Sequence, residues 1–329
     1  MKISVLGAGA WGTALACSLA PRHQVTLWAR NVQQAEVMQA SRVNQRYLPN
    51  IEFPQSLLLS ADFDVAVNEA DVLIVAVPVS SFRSILERVV AFAVAKPVIW
   101  LCKGFENKTS LLPHQIVADI LPDNLPRAVL SGPSFAQEVA RGLPTALTLA
   151  SSDIAFAQSL AQTLHHSRLR IYSCSDVVGV EVGGAIKNVL AIAAGISDGL
   201  HLGYNARAAL LTRGLAEMTR LGLSLGGKAE TLGGLSGAGD LILTCTGDLS
   251  RNRKVGMLLA ENRALSDILN DLGHVAEGVY TAREVHEVAL RQEVDMPICE
   301  AVYRVLYEKL AADKASEELL SRQPSDEFN

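Results

Sequence analysis

Short apolar runs alternate with longer segments of helical spacing in the N-terminal half of the chain. The apolar runs cover residues 2–6, 24–30, 71–78, 96–104, 127–133, 145–151 and 169–175. They lack the strict apolar–polar alternation of a half-exposed strand, which is typical of strands covered on both faces. The intervening segments, such as residues 154–164, have the spacing of amphipathic helices. This alternation predicts a doubly wound α/β domain around a parallel sheet.

The pattern changes near residue 177, after which apolar positions recur at i, i+3 and i+4. Residues 179–200 form a long apolar segment of this kind, and residues 206–222, 253–262, 281–292 and 300–313 repeat the spacing. These segments predict an all-helical second domain. We therefore place the domain boundary between residues 178 and 179, which assigns residues 1–178 to the first domain and 179–329 to the second.

Two interpretations compete for the first thirty residues. One positive charge followed by small apolar residues is typical of a signal peptide, and the LAC that ends at Cys17 loosely resembles a lipoprotein cleavage box. Alternatively, residues 2–6 form a strand, residues 7–12 a phosphate-binding turn and residues 13–20 a helix. We favour the second interpretation, because cleavage would remove the first strand of the predicted sheet.

The turn carries the pattern G-x-G-x-x-G between a strand and a helix, which is the context that dinucleotide binding requires. Gly7 permits the tight turn, Gly9 lets the backbone approach a pyrophosphate, and Gly12 lets helix and strand pack closely. Free N–H groups at the helix N-terminus then face the phosphates. The predicted fold is an N-terminal Rossmann-type doubly wound parallel sheet, followed by an all-α C-terminal domain.

Arg30 bears on the choice of cofactor. It stands at the predicted end of the second strand, where NAD-specific sites usually have an acid, and no acid occurs before Glu36. An arginine can pair with a ribose 2′-phosphate in a charge-assisted hydrogen bond. A surface arginine at a strand end is the simpler alternative. We expect NADPH/NADP to be used as well as NADH/NAD.

Charge and composition exclude several functions. The net charge of −5 offers no basic surface for nucleic acid or an anionic membrane. Five scattered cysteines without a C-x-x-C suggest neither a disulfide framework nor a zinc site, and the histidines have no metal-ligand spacing. Once the glycines of the N-terminus are discounted, no apolar stretch reaches the roughly 18 residues of a membrane span. We expect no metal, no nucleic-acid partner and no integral membrane segment.

Several further residues stand where this fold would bind a ligand, at the carboxyl ends of predicted strands. Lys103 follows one predicted strand, and Gly132, Ser134 and Ala136 follow the next. Lys187 interrupts a strongly apolar helix. Such a lysine either extends to solvent along its aliphatic stem, or is buried with a lowered pKa that suits acid–base catalysis. The residues alone leave both open.

A second polar group lies after the Gly-rich segment 233–239. Asp240 precedes an apolar run, and Ser250, Arg251, Asn252 and Arg253 form a compact cluster suited to an anion. Helix capping by Asp240 and Ser250 is the simpler alternative. Capping is likewise the alternative for Glu277, near the start of a later helix.

Six stretches resemble motifs of one family, the NAD(P)-dependent glycerol-3-phosphate dehydrogenases of the bacterial biosynthetic type. They are GAGAWGTALA, CKG, GPSFAQEVA, KNVLAIAAGISDGL, GLSGAGDLILTC and SRNRKVG, and they span both domains in the family's order. The resemblance implies reduction of dihydroxyacetone phosphate to sn-glycerol 3-phosphate with NAD(P)H. It also implies that the protein is a cytoplasmic homodimer whose product is used in glycerophospholipid synthesis.

The resemblance assigns roles to individual residues. Lys187 would be the general acid and base, with Asp240 and Asn188 holding it in register. The residues that would bind substrate are Lys103, Gly132, Ser134, Lys187, Asp240, Ser250, Arg251 and Asn252. The residues that would bind the cofactor are Gly7, Gly9, Ala10, Trp11, Gly12, Arg30, Lys103, Ala136, Arg251, Val275 and Glu277. Ala10 can contribute only its backbone.

Two other functions are weighed against this one. A 6-phosphogluconate-type dehydrogenase would share the two-domain plan and a catalytic lysine, but the family match of the Ser250–Asn252 cluster argues against it. A dinucleotide-sensing regulator would bind the cofactor without turnover and would not need Lys187. Such a regulator usually carries a DNA-binding element, and none is recognisable in the sequence.

Overall fold

The computed structural model describes residues 1–92, 96–272 and 276–323. The chain folds into two compact units. The first comprises Met1–Cys102 and Pro113–Val177, and the second comprises Lys103–Leu112 and Val178–Asn329. The segment Lys103–Leu112 thus packs with the second unit although it lies within the first predicted domain in sequence.

A β-sheet forms the centre of the first unit. The strands found in the described residues are β1 (Lys2–Leu6), β2 (Gln24–Trp28), β3 (Val43–Asn44), β4 (Leu48–Glu52), β5 (Leu58–Ser60), β6 (Val72–Val75), β7 (Val98–Trp100), β8 (Arg127–Ser131), β9 (Thr145–Ala150) and β10 (Leu169–Cys174). The main sheet has the order β10-β9-β8-β7-β6-β1-β2-β5, and β3 and β4 form a separate antiparallel pair. The predicted doubly wound sheet is confirmed.

One pairing in this sheet was not predicted. In the order of the sheet, all neighbouring strands between β5 at one edge and β8 are parallel. The next strand, β9, pairs antiparallel with β8, and the edge strand β10 runs parallel to β9. A parallel neighbour needs a crossover long enough to return to the starting edge, usually through a full helix. The connection from β8 to β9 contains only a five-residue helix, Ala136–Ala140, which suits an antiparallel neighbour.

Helices cover both faces of this sheet. They are α1 (Ala10–Leu19), α2 (Val32–Ser41), α3 (Phe63–Asn68), α4 (Val79–Ala91), α5 (Pro113–Ile120), α6 (Ala136–Ala140) and α7 (Ile154–Leu164). The prediction of a helix at residues 154–164 is confirmed, and Asp153 caps it by accepting a hydrogen bond from the Phe156 N–H. α1 begins three residues earlier than predicted, because extended Gly9 serves as its N-cap. Ile3, Val5 and Ile74 are buried between the layers.

The second unit is helical. Its elements are α8 (Val177–Gly199), α9 (Gly203–Ser224), α10 (Ala229–Leu232), a π-helical turn (Leu235–Gly239), α11 (Asp240–Thr246), α12 (Arg251–Ala260), α13 (Leu265–Leu272), α14 (Glu277–Arg291), α15 (Pro297–Tyr307) and α16 (Ala312–Leu320). The predicted segment 300–313 is two helices, because the chain turns through Lys309 with a φ of +61°. The all-helical character is confirmed.

α8 is the core helix of this unit. In the part of the chain that the structure describes, it is the one helix long and apolar enough to cross a membrane by length and composition alone. No such helix was predicted from the sequence, in which Glu181 and Lys187 interrupt the apolar run. Of its most apolar 18-residue stretch, 89% is buried, and its buried residues belong to the apolar core of the second unit. Burial against the other helices therefore accounts for its composition.

Glycines bring α8 and α12 into backbone contact. A Cβ on Gly195 of α8 would lie 2.0 Å from the Arg253 carbonyl oxygen, and one on Gly256 of α12 would lie 2.0 Å from the Ile192 carbonyl oxygen. No side chain fits in either place. This close approach sets the N-terminus of α12 beside the middle of α8, where Lys187 lies.

Candidate active site

The turn between β1 and α1 has the geometry of a phosphate-binding loop. Gly7 has a φ of +128°, and a Cβ there would lie 2.5 Å from the Ala76 carbonyl oxygen. A Cβ on Gly12 would lie 2.1 Å from the Gly7 carbonyl oxygen, so neither position accepts a side chain. At Gly9 a Cβ would meet nothing within 4 Å, and no side chain caps α1. Open space beside an uncapped helix N-terminus fits the pyrophosphate of a dinucleotide.

Asn44 supports this turn, although it was not among the residues predicted from the sequence. Its side-chain amide donates to the Ala8 carbonyl oxygen at 3.0 Å and to Thr13 Oγ1 at 2.9 Å. Asn44 is fully buried on the short strand β3. The residue therefore fixes both the turn and the start of α1. No local pattern marks it, because its role depends on where the β3–β4 pair packs.

The other predicted cofactor residues of the first unit lie near this turn or after β2. Ala10 is the first residue of α1, and Trp11 and Ala136 both pack against one small buried apolar cluster. Arg30 follows β2 and is exposed, and the described residues offer its side chain neither a hydrogen bond nor an ion pair. Val275 lies outside the described residues.

Gly132 and Ser134 follow β8, as predicted. Gly132 is buried and has a φ of +137°, in a turn where a Cβ would crowd the backbone of Ala146 and Leu147 at 3.2 Å. Ser134 Oγ donates to the Gly132 carbonyl oxygen at 3.1 Å. Both residues therefore lie at the carboxyl end of a strand, which is the ligand-binding edge of such sheets.

Three of the predicted residues in the second unit are in direct contact. Lys187 Nζ donates to Asp240 Oδ1 at 2.5 Å, and Lys103 Nζ donates to Asp240 Oδ2 at 2.6 Å. The Asp240 carboxylate is only 1% exposed. Each carboxylate oxygen thus accepts a hydrogen bond from one lysine ammonium group.

Packing of the π-helical turn against α8 creates this contact. A Cβ on Gly183 would lie 2.5 Å from the Ser236 carbonyl oxygen, so the turn lies directly on α8 one helical turn before Lys187. Thr244 follows Asp240 by four residues on α11. Its Oγ1 accepts from Lys187 Nζ at 3.0 Å and donates to the Asp240 carbonyl oxygen at 2.6 Å. Thr244 was not among the predicted site residues, although its i, i+4 spacing from Asp240 marks the same helix face.

Burial and the shared carboxylate set the protonation of this group. Burial lowers the pKa of Lys187 to about 8; Asp240 opposes this change and Lys103 adds to it. Burial alone would raise the pKa of Asp240, but Lys103 and Lys187 together lower it below its usual value. A lysine with a pKa near 8 exchanges protons readily at neutral pH.

Ser250, Arg251 and Glu277 lie at the starts of two helices. Ser250 Oγ accepts from the Arg253 N–H at 3.2 Å, so Ser250 caps α12. Arg251 is the exposed first residue of α12, and Glu277 is the partly buried first residue of α14. Burial raises the pKa of Glu277, against the opposing charges of Arg251, Lys103 and Lys187. The charges of Arg251, Lys103 and Lys187 therefore all act on the Glu277 carboxyl.

Asn252 links three helices. Its Nδ2 donates to Asn188 Oδ1 at 2.9 Å, and its Oδ1 accepts from the Gly278 N–H at 3.1 Å. Asn188 follows Lys187 on α8, and Gly278 follows Glu277 on α14. The Asn252 amide therefore holds the region around Lys187 in register with the starts of α12 and α14.

The second unit thus has a buried lysine paired with Asp240, and the charge of Arg251 acts on the same Glu277 carboxyl as the charge of this lysine. Within residues 1–92, 96–272 and 276–323, no group of three or more His, Cys, Asp or Glu side chains is placed to hold a metal ion. The chemistry that these residues support is proton transfer by an amine near a bound anion.

Comparison with known proteins shows where this arrangement belongs. The family model described as NAD-dependent glycerol-3-phosphate dehydrogenase N-terminus matches residues 2–157, and the model for the C-terminus matches residues 176–317. A Thiobacillus denitrificans protein named glycerol-3-phosphate dehydrogenase (NAD(P)+) is 60% identical over 328 residues, which is 100% of both chains. A relative of the same name from Nitrosomonas eutropha is 57% identical and covers 99% of both.

A solved structure agrees with the sequence matches. The crystal structure of glycerol-3-phosphate dehydrogenase from Coxiella burnetii has a TM-score of 0.94 and 45% identity, and the match covers 98% of this chain and 99% of that one. Fold, family models and relatives agree over most of the chain. The chain belongs to the NAD-dependent glycerol-3-phosphate dehydrogenase family.

Proposed function

We propose that the chain interconverts dihydroxyacetone phosphate and sn-glycerol 3-phosphate, with Lys187 as the residue that gives and takes the proton. The observation that carries the proposal is the buried Lys187 ammonium, held by Asp240 and Thr244 with a pKa of about 8. NAD(P)H supplies the hydride to the ketone carbon when it is bound. Lys187 gives its proton to the ketone oxygen, so that one hydride and one proton yield the alcohol.

Each neighbour of Lys187 has a part in this proton transfer. Asp240 stabilises the ammonium and, together with Thr244, directs Nζ. Lys103 adds a second positive charge, which favours the negative charge that develops on the ketone oxygen. In the reverse direction, neutral Lys187 accepts the proton of the alcohol.

The substrate phosphate is assigned to the start of α12. An ester phosphate carries nearly two negative charges, and Arg251 offers a planar fork that can engage two of its oxygens. The positive end of the ten-residue helix α12 favours the same charge. Ser250 and Asn252 hold the start of this helix in place. We assign Lys103, Gly132 and Ser134 to the substrate as well.

The cofactor is assigned to the glycine turn and to the residues predicted around it. A side chain at Gly7 or Gly12 would clash with neighbouring atoms, and the space beside Gly9 is open. Both features support binding of the pyrophosphate at this turn. The remaining assigned residues are Ala10, Trp11, Arg30, Lys103, Ala136, Arg251 and Glu277. Val275 stays a prediction from the resemblance.

We also propose that the protein is a cytoplasmic homodimer that supplies glycerol 3-phosphate for phospholipid synthesis. Exposed apolar side chains on the second unit support dimerisation, among them Tyr204 at 83%, Leu290 at 63% and Ile242 at 55% exposure. Sedimentation equilibrium of the purified protein tests this part. A monomer at micromolar concentration would contradict it.

A steady-state assay tests the reaction. Purified protein is mixed with NADPH or NADH, and the nicotinamide absorbance is followed with and without dihydroxyacetone phosphate. We expect cofactor oxidation that depends on this substrate. In a separate assay with NADP+ or NAD+ as the oxidant, reduction of the nicotinamide that depends on 6-phosphogluconate would favour the other dehydrogenase class. Tight NADPH binding without turnover of either compound would favour a regulator.

A further inference from the structure

The segment Lys103–Leu112, which we name the strap, carries Lys103 at its first residue. It forms neither a helix nor a strand. Phe105 and Leu112 are buried in the apolar core of the second unit and anchor both parts of the strap. The chain between them closes on itself, since the Glu106 N–H donates to the Leu111 carbonyl oxygen at 2.9 Å. The strap is therefore an irregular segment that depends on specific contacts.

Two residues of the strap have left-handed backbone conformations. Lys108 has a φ of +74° and Ser110 a φ of +54°. Such conformations are unfavourable for residues other than glycine, and they persist only where the surroundings hold them. Something outside the strap must therefore stabilise this part of it.

Glu284 of α14 makes the stabilising contacts. Its Oε2 accepts from Ser110 Oγ at 2.7 Å, and its Oε1 accepts from the Lys108 N–H at 3.4 Å. These are the two residues with the unfavourable backbone. The Glu284 side chain belongs to a residue that is 4% exposed. Burying a carboxylate is costly unless its oxygens are hydrogen-bonded, and an apolar residue would fill the same space at lower cost.

We infer that Glu284 is a positioning residue: by holding the strap against α14, it places the Lys103 ammonium on Asp240. The inference rests on the proposed function of the Lys103–Asp240–Lys187 group. It gives a reason for a buried carboxylate that touches none of these three side chains. Glu284 acts through the strap and does not contact the substrate.

Loss of this placement would change the pKa of Lys187. Lys103 and Lys187 share the Asp240 carboxylate, and the charge of Lys103 lowers the pKa of Lys187. If the strap loosens, Lys103 withdraws and Asp240 attracts Lys187 alone. Glu277 and Cys245 also interact electrostatically with Lys187, and neither residue belongs to the strap. The pKa of Lys187 must then rise, and the pH at which reduction fails must rise with it.

The test compares matched variants of the full-length protein. Glu284→Met removes both acceptors and keeps the side-chain length. Glu217→Met is the matched control, because Glu217 is another buried glutamate of this unit and accepts from the N–H groups of Ile298 and Cys299 in α15. We expect Glu284→Met to lower kcat/KM for dihydroxyacetone phosphate by about tenfold to a hundredfold, the cost of a misplaced catalytic group. We expect the basic limb of its pH–rate profile to move upward.

Further variants separate positioning from stability. Glu284→Gln should recover most of the activity, since its oxygen can accept from Lys108 and its amide can donate to the Ser110 hydroxyl. Ser110→Ala removes the shorter hydrogen bond with little change in volume, and it tests the idea if Glu284→Met does not fold. On a Lys103→Met background, Glu284→Met should cause no further loss. Amide hydrogen exchange of residues 103–112 should be faster in Glu284→Met than in Glu217→Met.

Clear outcomes would overturn the inference. One is Glu284→Met with kcat/KM within twofold of the parent and an unmoved pH profile. Another is an equal activity loss in Glu217→Met, which would mean that both glutamates act through general stability. If the parent protein does not reduce dihydroxyacetone phosphate, the proposed function fails; the exchange measurement still decides whether Glu284 holds the strap.

Discussion

Lys187 and Lys103 donate to opposite oxygens of one buried carboxylate, that of Asp240, at 2.5 Å and 2.6 Å. Two ammonium groups on a single carboxylate leave one net positive charge in the group. That charge favours a doubly anionic phosphoester nearby, and it makes the protonation of each lysine depend on the other.

Replacing Lys187 should remove catalysis and spare cofactor binding. Without general acid catalysis, Lys187→Ala should lower kcat by about a hundredfold to ten-thousandfold. NADPH affinity should stay close to that of the parent, because the glycine turn lies in the other unit. Steady-state kinetics and fluorescence titration with NADPH measure the two quantities. Turnover within threefold of the parent would refute the assignment.

The two directions of the reaction should depend on pH in opposite ways. Reduction needs the Lys187 ammonium, so its rate should fall as the pH rises through about 8, the pKa of Lys187. Oxidation of glycerol 3-phosphate needs the neutral amine, so its rate should rise through the same pH. Initial rates in both directions between about pH 6 and pH 10 provide the test. This range includes the pKa of Lys187 and ends below that of a free lysine, near 10.4. Parallel profiles would contradict a role for Lys187 in proton transfer.

Arg30 should favour NADPH. Arg30→Ala should weaken NADPH binding by about tenfold to a hundredfold, the effect of losing one charge-assisted hydrogen bond, and should change NADH binding little. Arg22→Ala is the control, because Arg22 is also exposed and lies before the start of β2, whereas Arg30 follows its end. Dissociation constants for both cofactors are compared. Equal losses for NADPH and NADH would place Arg30 near the adenosine without contact to the 2′-phosphate.

Arg251 should recognise the substrate phosphate. Arg251→Ala should lower kcat/KM for dihydroxyacetone phosphate by about tenfold or more, the effect expected when a charged hydrogen-bond partner is removed. At saturating NADPH it should scarcely change the slow reaction of unphosphorylated dihydroxyacetone. Lys254→Ala, which removes an exposed charge from the same helix, is the control and should leave both reactions unchanged. Equal damage to both substrates in Arg251→Ala would assign the residue to the cofactor or to the fold.

Glu217 should make the protein less stable as the pH rises. Burial raises its pKa from 4.5 to about 7, although it accepts from two N–H groups of α15. The folded state therefore binds this proton more tightly than the unfolded state, and the stabilisation is lost between about pH 4.5 and pH 7. The free energy of unfolding of the parent, relative to that of Glu217→Gln, should fall by about 3 kcal/mol across this range.

Urea unfolding of both proteins at several pH values measures this difference. Glu217→Gln lacks the titrating group, so any pH dependence that the two proteins share comes from other residues. A difference that stays constant with pH would show that Glu217 titrates at an ordinary carboxyl pKa in the folded protein.

The sequence by itself determined the elements and the features that depend on neighbouring residues. The glycine turn is recognisable because Gly7, Gly9 and Gly12 meet steric demands within one short stretch. The alternation of apolar runs and helical segments predicted the sheet, because burial on both faces imposes its own composition. Lys187 was singled out because an ammonium within an apolar helix is exceptional wherever that helix packs.

Only the tertiary structure decided which of these residues meet. Asp240 lies 53 residues from Lys187 and 137 residues from Lys103 in the chain, yet it binds both. Asn44, Thr244 and Glu284 gained their roles in the same way, from the contacts that packing made. Burial and backbone geometry can be predicted from the local composition of the chain. Contacts between distant residues depend on how helices and strands pack, and that packing is a property of the whole core.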